Sequence, residues 1–366
     1  MDRTWYELMT VFAREQAARV EEPSGAEEAF AELASGFGLA CEARPESVVT
    51  THYVIAGRVV RLRVVGQELA RILELPLSHL RLGDPGPAVP ELQIDLWDDR
   101  FLGAADDAPL GARLPPPEST IISPDSSFIV EAGARITLGL DRRVPRLLGR
   151  VRLAEGLSLF ERGRPLLHVL MVWLMDQRVH TLHAGLVARD GRGFLLGGPS
   201  GSGKSSVALA CALAGYDYLA DDCVAIEPAG AGFVGHSLYC SAHVTPEHLQ
   251  RFPLLAPHAI AGRLPCEDKH LVLLARCSSG RLGRTAPIAA VVLPQVVPSP
   301  GMRLRPATKR EAILRLSPST LCVLPGADQR RSVFKRLVDI VDAVPVYWLE
   351  LNGPVEQIPA MIDRVP

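Results

Sequence analysis

The spacing of apolar residues divides the chain into two regions of different character. Around Gly57, residues 47–66 alternate β-branched and polar side chains, a pattern typical of two strands joined by a turn. Further strands are predicted at residues 92–97 and onwards to about residue 140, and a helix over residues 67–77. The pattern predicts a smaller α+β N-terminal domain over residues 46–165, preceded by an amphipathic helical extension over residues 1–45.

From about residue 156 the pattern changes to a helix, residues 156–177, followed by alternating strands and helices. This order predicts a sheet covered by helices, here over residues 166–366. The longest apolar run, Pro165 to Met175, is shorter than the roughly 20 residues that cross a bilayer, and it predicts a buried helix. Later elements are predicted as a strand at 288–294, helices at 311–316 and 330–344, and a strand at 346–351.

Composition and charge narrow the classes of function. A length of 366 residues, with 48% hydrophobic and 22% charged residues, permits two packed domains. A net charge of −2 lacks the basic excess of proteins that bind nucleic acids or anionic membranes. Seven scattered cysteines without a C-x-x-C pair, and an N-terminus unlike a signal peptide, predict a cytoplasmic protein.

A glycine-rich segment carries the clearest chemical signal. Gly198-Pro-Ser-Gly-Ser-Gly-Lys-Ser205 fits G-x-x-x-x-G-K-[ST], and it lies between a predicted strand and a predicted helix. Backbone N–H groups of such a loop and the helix N-terminus favour phosphate, while the lysine reaches the β and γ phosphates and the serine holds Mg²⁺. A chance Gly/Ser turn is the competing interpretation. The predicted phosphate-binding residues are Gly198, Pro199, Ser200, Gly201, Ser202, Gly203, Lys204, Ser205 and Ser206.

Two adjacent carboxylates follow the helix. Asp221 and Asp222 end a predicted strand, 17 residues or more after Lys204. Because sites collect at the carboxyl ends of strands in such sheets, we expect both beside Lys204. One carboxylate can hold Mg²⁺ and the other can take a proton from an attacking hydroxyl. A solvated Asp-Asp turn is the alternative.

A histidine upstream is the next candidate. Asp190-Gly191 predicts a two-residue hairpin turn, which pairs residues whose numbers sum to 381. This register places His183 opposite Gly198, and a longer loop would shift it. A structural histidine at a strand end is the alternative.

Weaker candidates lie further along the chain. His236, Tyr239 and Lys269 could contact the acceptor or a phosphate. Lys269 ranks first because it is a lone lysine in a chain that prefers arginine. A solvated surface charge is the favoured interpretation for Lys269 and for the loop residues Arg276, Arg281 and Arg284.

Three segments together resemble the catalytic domain of HPr kinase/phosphorylase: His183-Ala-Gly-Leu-Val, the glycine-rich segment, and Tyr218-Leu-Ala-Asp-Asp222. The resemblance implies a P-loop kinase domain with a mixed sheet flanked by helices, which uses ATP and Mg²⁺ to phosphorylate a seryl hydroxyl. It implies that Asp222 is the general base, that Asp221 and Ser205 serve the metal, and that His183 assists the acceptor. It also implies a homo-oligomer.

The chain departs from that family in one informative region. His236-Ser-Leu-Tyr-Cys-Ser241 occupies the place where the family carries L-E-I-R-G-x-G, which puts HPr in doubt as the substrate. The layout looks more like the HPr-kinase-like enzymes that phosphorylate a C-terminal serine of lasso-peptide precursors. A kinase of a small-molecule hydroxyl and a non-catalytic nucleotide sensor are the alternatives.

Overall fold

The structure is a computed structural model, and the chain forms a mixed α/β protein with two mixed sheets and helices. The described part divides into two compact units, an N-terminal unit up to Trp173 and a C-terminal unit from Leu174 onwards. The helices predicted before Gly25 lie outside the described residues. The structure describes residues 25–83, 86, 88–102, 113–262, 264, 267–277, 281–321 and 327–366.

The N-terminal unit is built on an eight-stranded mixed sheet in the order β3-β1-β2-β4-β8-β7-β6-β5. Its elements are α1 (Gly25–Ala43), β1 (Val48–Ile55), β2 (Arg58–Val65), α2 (Gln67–Leu77), β3 (Arg81–Leu82), β4 (Leu92–Asp98), β5 (Ser119–Ile122), β6 (Phe128–Ala132), β7 (Ile136–Asp141), β8 (Arg146–Val151) and α3 (Leu159–Gly163), and α4 (Leu167–Asp176) spans the division between the units.

The hairpin predicted around Gly57 is confirmed. Ile55 pairs with Arg58 across the turn and Val48 pairs with Val65 at the far end. The helix predicted after it begins at Gln67 and ends at Leu77, and α1 packs its buried face on the same sheet, with Phe30 and Phe128 ring centroids 5.4 Å apart.

The helix predicted over residues 156–177 is two helices. Helix α3 ends at Gly163 and α4 begins at Leu167. Pro165 has no N–H to donate and disfavours a helical conformation at Arg164, so the chain cannot continue as one helix. Leu166 takes a positive φ of 61° at the break.

The C-terminal unit is built on a second mixed sheet, with a small antiparallel sheet beside it. Its elements are β9 (His180–Leu182), β10 (Gly185–Arg189), β11 (Arg192–Leu196), α5 (Lys204–Leu213), β12 (Asp217–Ala220), β13 (Val224–Ala229), β14 (Gly232–Ser237), β15 (Ser241–Val244), α6 (Pro246–Leu249), β16 (Ala259–Ile260), β17 (His270–Leu273), β18 (Arg281–Leu282), β19 (Thr285–Val296), β20 (Arg303–Pro306), α7 (Lys309–Leu321), α8 (Ala327–Ala343), β21 (Val346–Leu351) and α9 (Ile358–Ile362).

Strands β11, β12, β19 and β21 of this second sheet point the same way. Strand β11 is parallel to β19, and β19 is parallel to β21. Strand β12 shares that direction, because both it and β11 are antiparallel to β10. Their last residues, Leu196, Ala220, Val296 and Leu351, therefore define one edge of the sheet, which we call the carboxyl edge.

The Asp190-Gly191 turn is confirmed, with φ of 51° and 75° at its two residues, as a type I′ hairpin requires. Pairing follows the predicted register only as far as Gly185 with Leu196. The predicted pairing of His183 with Gly198 is therefore wrong. Beyond Gly185 the chain bends, and β9 pairs with β13 instead.

Helix α5 and the strands beneath it form the core of the C-terminal unit, and Cys211 within α5 is a buried free thiol whose pKa is raised by burial. This agrees with the packing role predicted for it. None of the helices in the described part of the chain is both long and apolar enough to cross a membrane.

Helix α7 supports the carboxyl edge through one leucine. Leu316 is fully buried, and it packs so closely on Gly197 that a Cβ there would lie 2.5 Å from its Cδ2. Replacing Leu316 by Ala leaves a cavity, which we expect to lower the free energy of unfolding by about 2–5 kcal/mol in urea titrations.

Leu314 offers a matched control, because it lies on the same helix and is 61% exposed. The change Leu314→Ala is expected to alter stability by no more than about 0.5 kcal/mol. Equal losses in the two variants would contradict the packing described for Leu316.

Candidate functional site

The glycine-rich loop connects the end of β11 to the start of α5. Its glycines Gly198, Gly201 and Gly203 have φ of 149°, 77° and 107°, a region that side chains other than glycine rarely adopt. At Gly203 a Cβ would also lie 2.6 Å from Leu351 Cδ1. The loop can therefore fold tightly over the carboxyl edge only with glycine at these places.

Two buried polar groups of this loop suit a phosphate. The Nζ of Lys204 donates to the carbonyl oxygens of Gly198 at 2.7 Å and Pro199 at 3.1 Å. Within the described residues the buried Ser202 Oγ has no hydrogen-bond partner, and a Cβ at Gly198 would come within 2.7 Å of it. A phosphate can replace the two carbonyls around Lys204 and satisfy Ser202, because its oxygens are strong acceptors.

Ser205 and Asp221 lie together at the start of α5. Ser205 Oγ donates to Asp221 Oδ2 at 3.3 Å, and Asp221 is buried. Hydroxyl and carboxylate oxygens are ligands that Mg²⁺ accepts, and Mg²⁺ commonly takes only one or two protein ligands beside waters and phosphates. Among the described residues no group of three His, Cys, Asp or Glu side chains is placed to hold a metal ion. The Ser205–Asp221 pair is the candidate magnesium site because it joins a hydroxyl and a carboxylate.

His183 reaches the second carboxylate. Its Nε2 contacts Asp222 Oδ1, and the two side chains are only 6% and 15% exposed. The backbone N–H of His183 donates to Oγ1 of Thr320 on α7 at 3.2 Å. The imidazole is therefore fixed at the bend between β9 and β10 and aimed at Asp222 rather than at Gly198.

Ser206 and His248 form a pair beside the glycine-rich loop that no pattern in the sequence predicts. Nε2 of His248 forms a hydrogen bond of 2.8 Å with Oγ of Ser206, and Thr245 caps the short helix α6 that holds this histidine. Burial, with the positive charges of Arg251 and Lys269, lowers the pKa of His248 from 6.5 to about 4. Lys269, a predicted candidate, thus lies near His248. His248 itself is 42 residues from Ser206 in the sequence.

The remaining candidates have other neighbours. Nε2 of His236 pairs with Oε1 of Glu227 at 2.9 Å across the β13–β14 hairpin, and Tyr239 is buried after that hairpin. Arg281 pairs with Asp217 at 3.0 Å at the exposed end of β12. The Arg281 side chain is 74% exposed, which fits the surface charge that the sequence favours for it.

Comparison with known proteins gives a distant structural likeness. No family model matches the sequence, and no curated protein matches it. The Hpr(Ser) kinase/phosphatase from Coxiella burnetii is structurally similar over 50% of this chain and 91% of that chain. The two share 12% sequence identity with a TM-score of 0.25. Side-chain geometry must therefore carry any functional conclusion.

The low pKa of His248 predicts a pH-dependent stability. An unfolded histidine titrates near 6.5, so between pH 6.5 and 4 the unfolded state binds more protons and stability falls as the pH falls. The change His248→Gln keeps a polar partner for Ser206 but removes this titration. Between pH 7 and 4.5 we expect the variant to lose about 1–3 kcal/mol less than the unsubstituted protein, measured by urea unfolding. Parallel losses in both proteins would contradict the lowered pKa of the half-buried His248.

Proposed function

We propose that this protein is an ATP-dependent kinase that transfers the γ-phosphoryl group to an alcohol. One observation carries the proposal: the His183–Asp222 pair and the Ser205–Asp221 pair meet at the carboxyl edge, beside the loop that holds Lys204. A nucleotide-binding protein without chemistry needs the loop. It does not need a carboxylate held by a buried imidazole.

The loop binds the donor. Lys204 and the loop N–H groups hold the phosphate oxygens, and Ser202 contributes its buried hydroxyl. Mg²⁺, held by Ser205 and Asp221, would neutralise charge on the donor phosphates. The low exposure of Lys204, at 6%, strengthens its attraction to phosphate, because little water screens it.

Asp222 is the general base. It takes the proton of the acceptor hydroxyl as the acceptor oxygen bonds to the γ phosphorus and the bond from that phosphorus to the β–γ bridging oxygen breaks. ADP leaves with the bridging oxygen. His183 orients the carboxylate through its contact with Oδ1.

The acceptor we propose is a serine hydroxyl of a peptide, in accordance with the resemblance to the kinases of peptide natural products. The N-terminal sheet, within residues 46–165, would help recognise that peptide. Co-expression with a peptide that ends in serine is expected to add one phosphate to it, detected by mass spectrometry. Phosphate appearing only on small-molecule alcohols would contradict the peptide acceptor while leaving the kinase chemistry intact.

The change Asp222→Asn tests the base. An amide cannot accept the proton, so phosphoryl transfer is expected to fall by about 10²–10⁴-fold. ATP affinity, measured by calorimetry, is expected to stay within about threefold, because the loop that binds the phosphates is intact.

Asp217→Asn is the matched control, because Asp217 begins the same strand β12 and pairs with Arg281 away from the carboxyl edge. Its transfer rate is expected to match that of the unsubstituted protein. Near-full transfer by the Asp222 variant would refute the assignment of the base, and the absence of metal-dependent transfer to any acceptor would favour a nucleotide sensor.

A further inference from the structure

A cavity of about 240 Å³ opens beside the glycine-rich loop, within the C-terminal unit. Its floor is the carboxyl ends of β19 and β21, and the first turn of α5 forms one wall. Arg251, just after α6, lies at its rim and donates to the carbonyl of Gly353 at 3.4 Å. The residues on which the argument depends are Ser206, Arg251, Val296, Met302, Leu351 and Asn352.

The cavity and the acidic pair lie on opposite sides of the loop. Along the sheet, β12 lies two strands from β11 on one side, while β19 and β21 follow β11 on the other. Asp221 and Asp222 follow β12, whereas Val296 and Leu351 end β19 and β21. The glycine-rich loop stands between them.

The first turn of α5 serves both sides. Consecutive residues of an α-helix point about 100° apart. Ser205 accordingly turns towards Asp221, whereas Ser206 turns towards His248 and lines the cavity. One hydroxyl thus belongs to the acidic side and its neighbour to the cavity side.

Phosphoryl transfer fixes which end of the donor faces which side. The γ phosphate must meet the acceptor at Asp222, in line with the leaving oxygen. The nucleoside, at the other end of the triphosphate, must then leave the loop on the side away from Asp222. We propose that this cavity binds the nucleoside half of the donor and that Arg251 closes it over the base, an inference that rests on the proposed kinase function.

The size and lining of the cavity fit that ligand. About 240 Å³ is below the roughly 300–1,000 Å³ of pockets that enclose a whole ligand, so it suits one end of a nucleotide. Val296, Met302 and Leu351 offer apolar surface to the faces of a base. The planar guanidinium of Arg251 can stack on an aromatic ring.

Asn352 makes the wall rigid. Its side-chain amide donates to the carbonyls of Val297 and Pro298, each at 2.9 Å, and so ties the end of β21 to the chain that leaves β19. A wall fixed in this way loses little freedom when a ligand binds, which favours affinity.

Comparing ATP with inorganic tripolyphosphate separates this site from the phosphate loop. Both ligands are titrated calorimetrically into the full-length protein and two variants, Arg251→Ala and Met302→Trp. The first removes the stacking cation from an exposed position, and the second fills the cavity without changing charge. We expect the Kd for ATP to rise at least tenfold in each variant, and the Kd for tripolyphosphate to stay within threefold.

Arg303→Ala is the control for lost charge, because Arg303 is an exposed arginine next to Met302 in sequence that does not line the cavity. It is expected to leave both ligands unaffected. If Arg251→Ala and Met302→Trp change the affinity for neither ligand, or weaken both ligands equally, the nucleoside site is overturned while phosphate binding stands. If the unsubstituted protein binds neither ATP nor tripolyphosphate, the proposed function fails, and the inference fails with it.

Discussion

The parallel ladder from β11 through β19 to β21 determines where everything else in the site can lie. Parallel neighbours cannot be joined by tight turns, so each strand end releases its chain at the same edge. The N–H of Gly197 donates to the carbonyl of Val292 at 2.9 Å, which continues the ladder one residue past β11. The glycine-rich loop therefore begins from a fixed backbone position, which helps to fix Lys204 at its other end.

Helix α5 then divides the edge into two chemical halves. Its first turn carries Lys204, Ser205 and Ser206 in succession, and the helical rotation sends the two hydroxyls to different neighbours. The acidic half, with Asp221 and Asp222, suits a metal ion and the removal of a proton from a hydroxyl. The other half offers apolar surface and the guanidinium of Arg251. A phosphoryl donor needs both halves at once, and a single helical turn supplies them.

Local patterns in the sequence predict most of this arrangement. Contacts between segments that are distant in the sequence cannot be predicted from such patterns. The Asp190-Gly191 turn, the glycine-rich loop and the strand before Asp221 each depend on a few adjacent residues, and their elements form as expected. The predicted position of His183 is wrong because a register extrapolated from a turn cannot show that β9 pairs with β13. No sequence pattern predicts that His248 contacts Ser206 or that Thr320 contacts His183, because each contact depends on how separate elements pack.

Buried charge distinguishes structural from chemical roles in this chain. In the N-terminal sheet the buried Asp95 accepts from Arg63 at 2.7 Å, from Arg146 at 2.8 Å and from Gln93 at 2.7 Å, all on its own or neighbouring strands. Such a network is satisfied by the fold itself. Lys204 is also buried, and two of its hydrogen-bond acceptors are backbone carbonyls that an anion can displace. Burying a charge with replaceable partners costs desolvation without a matching gain in stability. That cost is recovered when phosphate binds, because the same low-dielectric surroundings then strengthen the attraction between ammonium and phosphate.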